Sequence, residues 1–166
     1  MIMKTLFVAL LFLSAASVVL AAPTVEIKPS KERTSLSSFD EDHLDLILKE
    51  NGSIKDTHYF YSSYGSADAQ VIQDRRGSYY VLLTHREGRG THVRSNFMTV
   101  FKVRKKLNQV ATFPIDGPAG PKSDWKYSCI LNKPVGGGLE FRLSLKINGG
   151  DAIAFPEDKS RTISIK

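Results

Sequence analysis

The chain has 166 residues, of which 42% are hydrophobic and one is cysteine, and its 23 basic and 17 acidic residues give a formal net charge of +6 at pH 7. This size and hydrophobic content suit one domain with a core, and the single cysteine excludes an internal disulfide. The basic balance favours anionic partners, namely phosphate-bearing lipids, acidic polysaccharide or an acidic protein.

The first 21 residues have the features of a secretory signal peptide. A short start with Lys4 precedes an uncharged run from Thr5 to Ala21, and the small residues Ala21 and Ala22 fit a signal-peptidase site. Cleavage after Ala21 removes one of the 23 basic residues, so the net charge falls from +6 to +5. The alternative is an uncleaved anchor, because the run is just long enough to span a bilayer. We expect an exported protein, periplasmic or secreted, with no transmembrane segment after cleavage.

The sequence divides into three parts. Residues 1–21 are the predicted signal peptide, residues 22–42 form a polar N-terminal arm, and residues 43–166 form a single β domain. Within the arm, the segment TVEIK has the composition of a short edge strand. An arm of this kind also allows a role in assembly, in which it offers an edge strand to a protein partner.

The start of the β domain supports two interpretations. A capping-box pattern at Ser38 and Glu41 precedes a stretch with a helical apolar face, which allows a short helix near residues 39–50. The three leucines of HLDLILKE also alternate, and Asn51-Gly52 is the strongest two-residue hairpin pattern. Because the residues after this turn are rich in β-formers, we favour the hairpin.

The rest of the chain predicts a series of short strands separated by turns. We expect strands in AQVIQ, SYYVLLT, NFMTVFKV, QVATFPI, WKYSCIL, LEFRLSLKI, DAIAF and RTISIK. LEFRLSLKI alternates cleanly between apolar and polar residues, which is typical of a half-buried antiparallel strand. The stretch DGPAGPKSD is expected to be a connection without regular structure. About eight to ten strands at this spacing predict an all-β fold, an antiparallel β-sandwich or barrel.

The stretch HREGRGTHVR, between two of these strands, is the candidate site. Glycines in such a loop permit positive φ angles, and backbone N–H groups together with arginine side chains can bind a phosphate, sulfate or carboxylate group. The alternative is a solvated loop whose glycines serve turn geometry alone. The predicted ligand-binding residues are His85, Arg86, Arg89, Gly90, Thr91, His92 and Arg94.

The histidines are weaker candidates for a metal site. A zinc site at this loop needs His85, Glu87 and His92 to converge, and the neighbouring arginines would repel a cation. His43 and His58 lie on either side of the Asn51-Gly52 turn and are expected at the surface. We therefore predict neither a metal ion nor a cofactor.

The aromatic run and the cysteine have ordinary structural explanations. The run HYFYSSY is expected to be a strand that buries Phe60, with Tyr59 and Tyr61 on the opposite face. Its alternative is an exposed row of rings that stacks on sugars or bases. Cys129 lies in the apolar stretch WKYSCIL and is expected to pack as a small buried hydrophobe.

The function class follows from these patterns. The sequence contains no G-x-S-x-G elbow, no H-E-x-x-H, no Walker loop and no G-x-G-x-x-G before a helix, and no catalytic residue is predicted. A nucleic-acid partner is not expected, because no motif for one is present. We expect a non-catalytic exported β-domain that binds an anionic envelope component or a protein partner. The alternative is a small envelope hydrolase or lyase with a site near residues 85–94.

Overall fold

The protein is an all-β sandwich of antiparallel strands. The computed structural model describes residues 21–31, 42–88 and 94–166, and in these residues it has ten strands. Three strands form a small sheet of order β1-β2-β3, and seven form a large sheet of order β10-β9-β8-β7-β6-β5-β4. The fold class and the number of strands predicted from the sequence are confirmed. The strands are β1 Thr24–Pro29, β2 His43–Glu50, β3 Ser53–Tyr61, β4 Ala67–Gln73, β5 Tyr79–Glu87, β6 Ser95–Val103, β7 Leu107–Gly120, β8 Ser123–Asn132, β9 Leu139–Asn148 and β10 Ser160–Ile165.

The favoured hairpin joins β2 to β3. Asn51 and Gly52 both have positive φ angles, 51° and 76°, which a two-residue turn of this type requires. Leu44, Leu46 and Leu48 are 5%, 0% and 2% exposed, so the alternation of HLDLILKE places its leucines in the core. The helix alternative is wrong for residues 43–50, and Ser38 and Glu41 lie outside the described residues.

The first strand lies in the segment expected to be a polar arm. β1 pairs with β2 over its whole length, from Thr24 opposite Lys49 to Pro29 opposite Leu44. It is an edge strand of the small sheet, as the composition of TVEIK predicts. Ile27 packs against the buried core, so this part of the arm contributes to the fold.

The central strand β5 is buried on both faces. Tyr80 and Leu82 belong to a main core shared with β8 and β9, whereas Val81 and Leu83 belong to a second core beneath the small sheet. All four side chains are at most 3% exposed. A continuous apolar run is typical of a strand covered on both sides. The sandwich therefore has three layers: the small sheet, the β4–β5–β6 half of the large sheet, and its β8–β9–β10 half.

The strand β7 connects the two halves of the large sheet. It pairs with β6 as far as Asp116, opposite Asn96, and from Asp116 to Gly120 it pairs with β8. The expectation that DGPAGPKSD holds no regular element is wrong, because its first half is strand. Pro118 lies past the start of β6 at Ser95, so it has a strand on one side only and its missing N–H is tolerated.

The predicted final strands are partly correct. β9 has the expected alternation, and RTISIK forms β10, which pairs with β9. DAIAF is not a strand: the N–H groups of Ile153 and Ala154 both donate to the carbonyl of Ala119, so the segment crosses the end of β7. Asp151 accepts hydrogen bonds from the Lys122 N–H at 2.9 Å and from the Ser123 hydroxyl. These bonds hold the segment beside the β7–β8 turn.

A buried carboxylate ties together two turns at the far end of the large sheet. Asp74 is 7% exposed and accepts from the N–H groups of Arg76 and Ser78, both at 2.9 Å, and from Gly138 N–H at 2.7 Å. We call Asp74 and these three donors the Asp74 clamp. Burial by itself would raise the pKa of Asp74, but the three N–H groups outweigh it and hold the pKa below its ordinary value.

Candidate functional site

The alternation of β5 divides the predicted site between two faces. His85 faces the second core, on the side of Val81 and Leu83, whereas Arg86 faces the side of Tyr80 and Leu82. Successive side chains of a strand point to opposite faces, so these neighbours cannot act in one site. Arg86 and Arg94 line the same cavity. Arg89, Gly90, Thr91 and His92 lie outside the described residues.

The cavity beside Arg86 is a groove at the open end of the main core. It has a volume of about 680 Å³ and lies between the ends of β5 and β6 and the β7–β8 hairpin, with the indole of Trp125 on its wall. We call it the cationic groove because its basic side chains outnumber its acidic ones. The basic side chains are Arg86, Arg94, Lys122 and Lys126, and the acidic ones are Asp116 and Asp124.

Arg86 is positioned by an asparagine. Its Nε donates to Asn96 Oδ1 at 3.2 Å, and Asn96 Nδ2 donates to both carboxylate oxygens of Asp116 at 2.8 and 3.1 Å. Asn96 therefore lies between the arginine and the carboxylate and occupies the lone pairs of Asp116. Within the described residues, the terminal nitrogens of Arg86 have no hydrogen-bond partner. The four N–H donors of these two nitrogens, on a half-buried arginine, thus remain available to an anion.

A turn between β3 and β4 fixes the end of β5. Ser62 and Ser63 are both 0% exposed. The Ser62 hydroxyl accepts from the Arg86 N–H at 3.0 Å, and the Ser63 hydroxyl donates to the Gly88 carbonyl. These two contacts hold the backbone on both sides of Glu87, so the direction of the Arg86 side chain is set by buried groups.

The same turn holds the second arginine. The guanidinium carbon of Arg94 lies 4.5 Å from the centre of the Tyr64 ring, and its Nη2 donates to the Tyr64 hydroxyl at 3.0 Å. A guanidinium over an aromatic face is stabilised by the ring quadrupole. The 62–66 turn therefore contacts the chain at both ends of the 89–93 segment and orients Arg94 beside the groove.

Several groove residues were not predicted from the sequence. Asn96 and Asp116 belong to different strands and meet only through the β6–β7 register. Lys122 and Lys126 enter from the β7–β8 hairpin, whose first strand contains the Pro/Gly-rich stretch expected to be irregular. The basic composition is consistent with these lysines, but no spacing in the sequence connects them to Arg86.

His85 lies in a small polar recess beneath the small sheet. It is 7% exposed, and its ring packs against Phe60 and Phe97 with ring centres 6.0 Å away in each case. Nε2 lies 3.1 Å from Thr99 Oγ1, which is 3.0 Å from Thr112 Oγ1. The adjoining cavity has a volume of about 160 Å³.

The surroundings of the two histidines of this recess, His58 and His85, favour the neutral imidazole. Burial lowers the pKa of His85 below its ordinary value of 6.5, although the charge of Glu87 opposes the shift. Burial also lowers the pKa of His58, whose ring packs edge-on against Phe101 at 4.7 Å. His43 lies opposite Tyr61 and His58 opposite Leu46, so these two histidines do not face each other. Both are partly buried, less exposed than the sequence suggested.

No metal site forms within residues 21–31, 42–88 and 94–166, since no three His, Cys, Asp or Glu side chains cluster there. Glu87 Oε1 lies 3.8 Å from His85 Nδ1, but His92, the third proposed ligand, lies outside these ranges. The aromatic run buries Phe60 at 7% exposure and leaves Tyr59 and Tyr61 half-exposed, as predicted.

Cys129 is exposed, so the expectation that it packs in the core is wrong. The pairing of β7 with β8 ends at Lys126. From Tyr127 onward β8 is not paired with β7, which leaves Cys129 uncovered on that side. Desolvation by neighbouring atoms raises the pKa of the thiol above its ordinary value of 9.0. An activated nucleophile needs a lowered pKa, and Cys129 has the opposite.

No protein-family model, no curated protein and no solved structure matches this chain. The geometry of the two cavities is therefore the basis for inferring the function.

Proposed function

We propose that the protein is a non-catalytic, exported β-domain that binds an anionic ligand in the cationic groove. The observation that carries the proposal is the state of Arg86: its Nε is held by Asn96, and its terminal nitrogens face the groove without a partner among the described residues. A guanidinium that is fixed in place and retains free donors is suited to a carboxylate, sulfate or phosphate group.

The surroundings of Arg86 favour an anion over a cation. Four basic and two acidic side chains line the groove, and one of the acids, Asp116, already accepts from Asn96. Arg94, held by Tyr64, supplies a second guanidinium on the same wall. The net charge of +5 that remains after cleavage would also attract an anionic polymer over a longer range than any single contact.

The export part of the proposal depends on the N-terminal sequence. The uncharged run from Thr5 to Ala21 with the small pair Ala21 and Ala22 supports cleavage after Ala21. Among the described residues, no helix is long and apolar enough to cross a membrane. Mass spectrometry of protein expressed from the full chain tests this part. The expected product begins at Ala22, and a membrane-bound product that retains Met1 would refute export by cleavage.

Binding is tested with the exported protein and a pair of matched variants. The double variant R86A/R94A removes two charges from the groove, and K105A/K106A removes two charges from the β6–β7 turn. We expect phosphate and polyanions to raise the unfolding temperature of the wild type and of K105A/K106A. A ligand at about 100 times its Kd stabilises the folded state by roughly 2.7 kcal/mol. Equal shifts in both variants would reject the groove as the binding site.

A hydrolase with its site at His85 is the second candidate. It is favoured by a hydroxyl, an imidazole and a carboxylate that lie in succession. Thr99 Oγ1 lies 3.1 Å from His85 Nε2, and His85 Nδ1 lies 3.8 Å from Glu87 Oε1. Two observations oppose it: Thr99 is 5% exposed, and its hydroxyl also contacts Thr112. Turnover of small chromogenic esters that is lost in both T99V and H85Q would favour this candidate over the binding domain.

A protein partner is the remaining alternative from the sequence. β1 is an edge strand, so one of its sides has no paired strand among the described residues, although β4 lies near β1. Deleting residues 22–42 would remove Ile27 from the second core together with the edge. The Ser30 N–H donates to the His43 carbonyl, so the N–H of Val25, an odd number of residues away, points to the unpaired side of β1. V25P tests the edge more gently than the deletion, and undiminished capture of a partner by that variant would argue against strand addition at β1.

A further inference from the structure

An exposed tyrosine in a strained conformation lies next to the cationic groove. Tyr64 has φ of 59° and ψ of 28°, the left-handed region that side chains other than glycine rarely adopt. Its side chain is 61% exposed, so burial of the ring does not account for this conformation. Strained backbone that is maintained without burial is typical of residues with a binding role.

The structure holds Tyr64 in place by several contacts. Ser62 and Ser63, the residues before it, are fully buried and hydrogen-bonded to β5, and Gly65 after it also has a positive φ, 61°. The Gly65 N–H donates to the Ser62 carbonyl at 3.0 Å, which closes the turn. The turn therefore fixes the direction of the tyrosine ring and does not leave it on a free loop.

One face of the Tyr64 ring is occupied, while the residue as a whole is exposed. The guanidinium of Arg94 lies over the ring at 4.5 Å from its centre, and the residue is still 61% exposed. An open aromatic face binds apolar C–H surfaces well and has little attraction for a bare inorganic anion. The ring is thus in direct contact with Arg94, which lines the cationic groove together with Arg86.

We infer that the anionic ligand is an acidic polysaccharide, in which a pyranose ring stacks on Tyr64 while its carboxylate or sulfate group binds Arg86 and Arg94. This inference rests on the proposed function. A sugar acid combines an apolar ring face with a planar or tetrahedral oxyanion. The tyrosine is suited to the ring face, and the two arginines are suited to the oxyanion. The arrangement predicts that a glycan binds more tightly than an inorganic anion of equal charge.

The test is calorimetric titration of the wild-type protein with four probes. They are oligogalacturonate, sulfated dextran oligomers, neutral dextran of the same length, and inorganic phosphate. Two substitutions separate the ring from the charge. Y64N removes the ring and keeps a residue that tolerates a positive φ, and Y64F keeps the ring and removes only the hydroxyl that contacts Arg94.

We expect the acidic oligomers to bind and neutral dextran not to bind. Y64N should weaken the acidic oligomers about tenfold and phosphate less than about threefold, whereas Y64F should stay within about threefold of the wild type. Tighter binding of either acidic oligomer, carboxylated or sulfated, supports the inference. If Y64N weakens phosphate and oligomers equally, or if phosphate binds as tightly as the oligomers, the saccharide is rejected while anion binding stands. If no anion binds, the proposed function itself fails.

Discussion

The two ends of the β4–β5–β6 layer both carry hydrogen-bond donors suited to an anion, but they differ in whether the protein itself supplies the acceptor. At the Asp74 clamp, three backbone N–H groups converge on a site for an anion, and the protein supplies that anion as its own carboxylate. At the cationic groove, Arg86 offers donors, but the nearby carboxylate of Asp116 is occupied by Asn96. A polar cluster satisfied from within acts as a structural tie. A polar cluster whose donors have no acceptor among the described residues is suited to bind a ligand.

The clamp should give the largest effect on stability. D74A leaves the buried N–H of Gly138 and the part-buried N–H groups of Arg76 and Ser78 without their acceptor. An unsatisfied buried donor costs about 1–3 kcal/mol. We expect a loss of about 3 kcal/mol in the free energy of urea unfolding, with anion affinity unchanged in the folded protein. D68A, at an exposed position of β4, is the control and should be near neutral. Equal stability of D74A and D68A would show that the clamp is not a structural tie.

The recess beneath the small sheet should make stability depend on pH. The pKa values of His58 and His85 are both lowered in the folded state from 6.5, so the unfolded chain binds protons first as the pH falls. The stabilisation is therefore complete above pH 6.5 and is lost as the pH falls toward the folded pKa values.

The double variant H58F/H85Q tests this assignment. Urea unfolding between pH 7.5 and 5 should show a flatter profile for the variant than for the wild type, because the titrating groups are gone. Carboxylates titrate at lower pH and should affect both proteins alike. Parallel profiles across this range would mean that the two histidines are not the cause.

Asn96 is uncharged, but we expect it to control the affinity of the groove for anions because it separates Arg86 from Asp116. In N96A the guanidinium is free to pair with Asp116, so the groove loses available donors although every basic residue remains. We expect phosphate affinity to fall about fivefold, the equivalent of one partly exposed ion pair. N96A/D116A removes the competing carboxylate and should recover the affinity. Failure of this double variant to recover would contradict the separating role of Asn96.

The smallest effect is expected at Cys129. The thiol is exposed, so iodoacetamide should label it in the native protein without denaturant. Because desolvation raises its pKa, labelling at pH 7.5 should be slower than that of a free cysteine peptide and should accelerate with rising pH. C129S should change the free energy of unfolding by less than about 0.5 kcal/mol. Native labelling as fast as the peptide would contradict the raised pKa.

The parts of the fold that depend on local pattern were predictable from the sequence. The Asn51-Gly52 turn, the alternation of β9 and the two-sided apolar run of β5 each specify a conformation within a few residues. The Pro/Gly-rich half of β7 was not predictable, because a proline is acceptable there only at a place where β6 has ended. The exposure of Cys129 was not predictable for a related reason, since it depends on where β7 stops pairing with β8.

The structure divides the predicted site residues between two faces of β5. Arg86 and Arg94 flank one groove, but His85 faces the other layer, which strand alternation alone requires. Asn96 and Asp116 follow from register, which one sequence does not define. Tyr64 was included in an aromatic run expected to form a strand, whereas it lies in the turn after β3.

The most direct test of anion binding in the groove is to map amide chemical shifts while phosphate is added to the ¹⁵N-labelled protein. The groove and the Asp74 clamp lie at opposite ends of β5, so their amides report on two distant locations. We predict that the largest saturable shifts belong to Arg86, Arg94, Asn96, Gly117 and Lys122, with the amides of Arg76, Ser78 and Gly138 unmoved. Shifts centred on the clamp, or spread without saturation over all basic surfaces, would contradict the proposal.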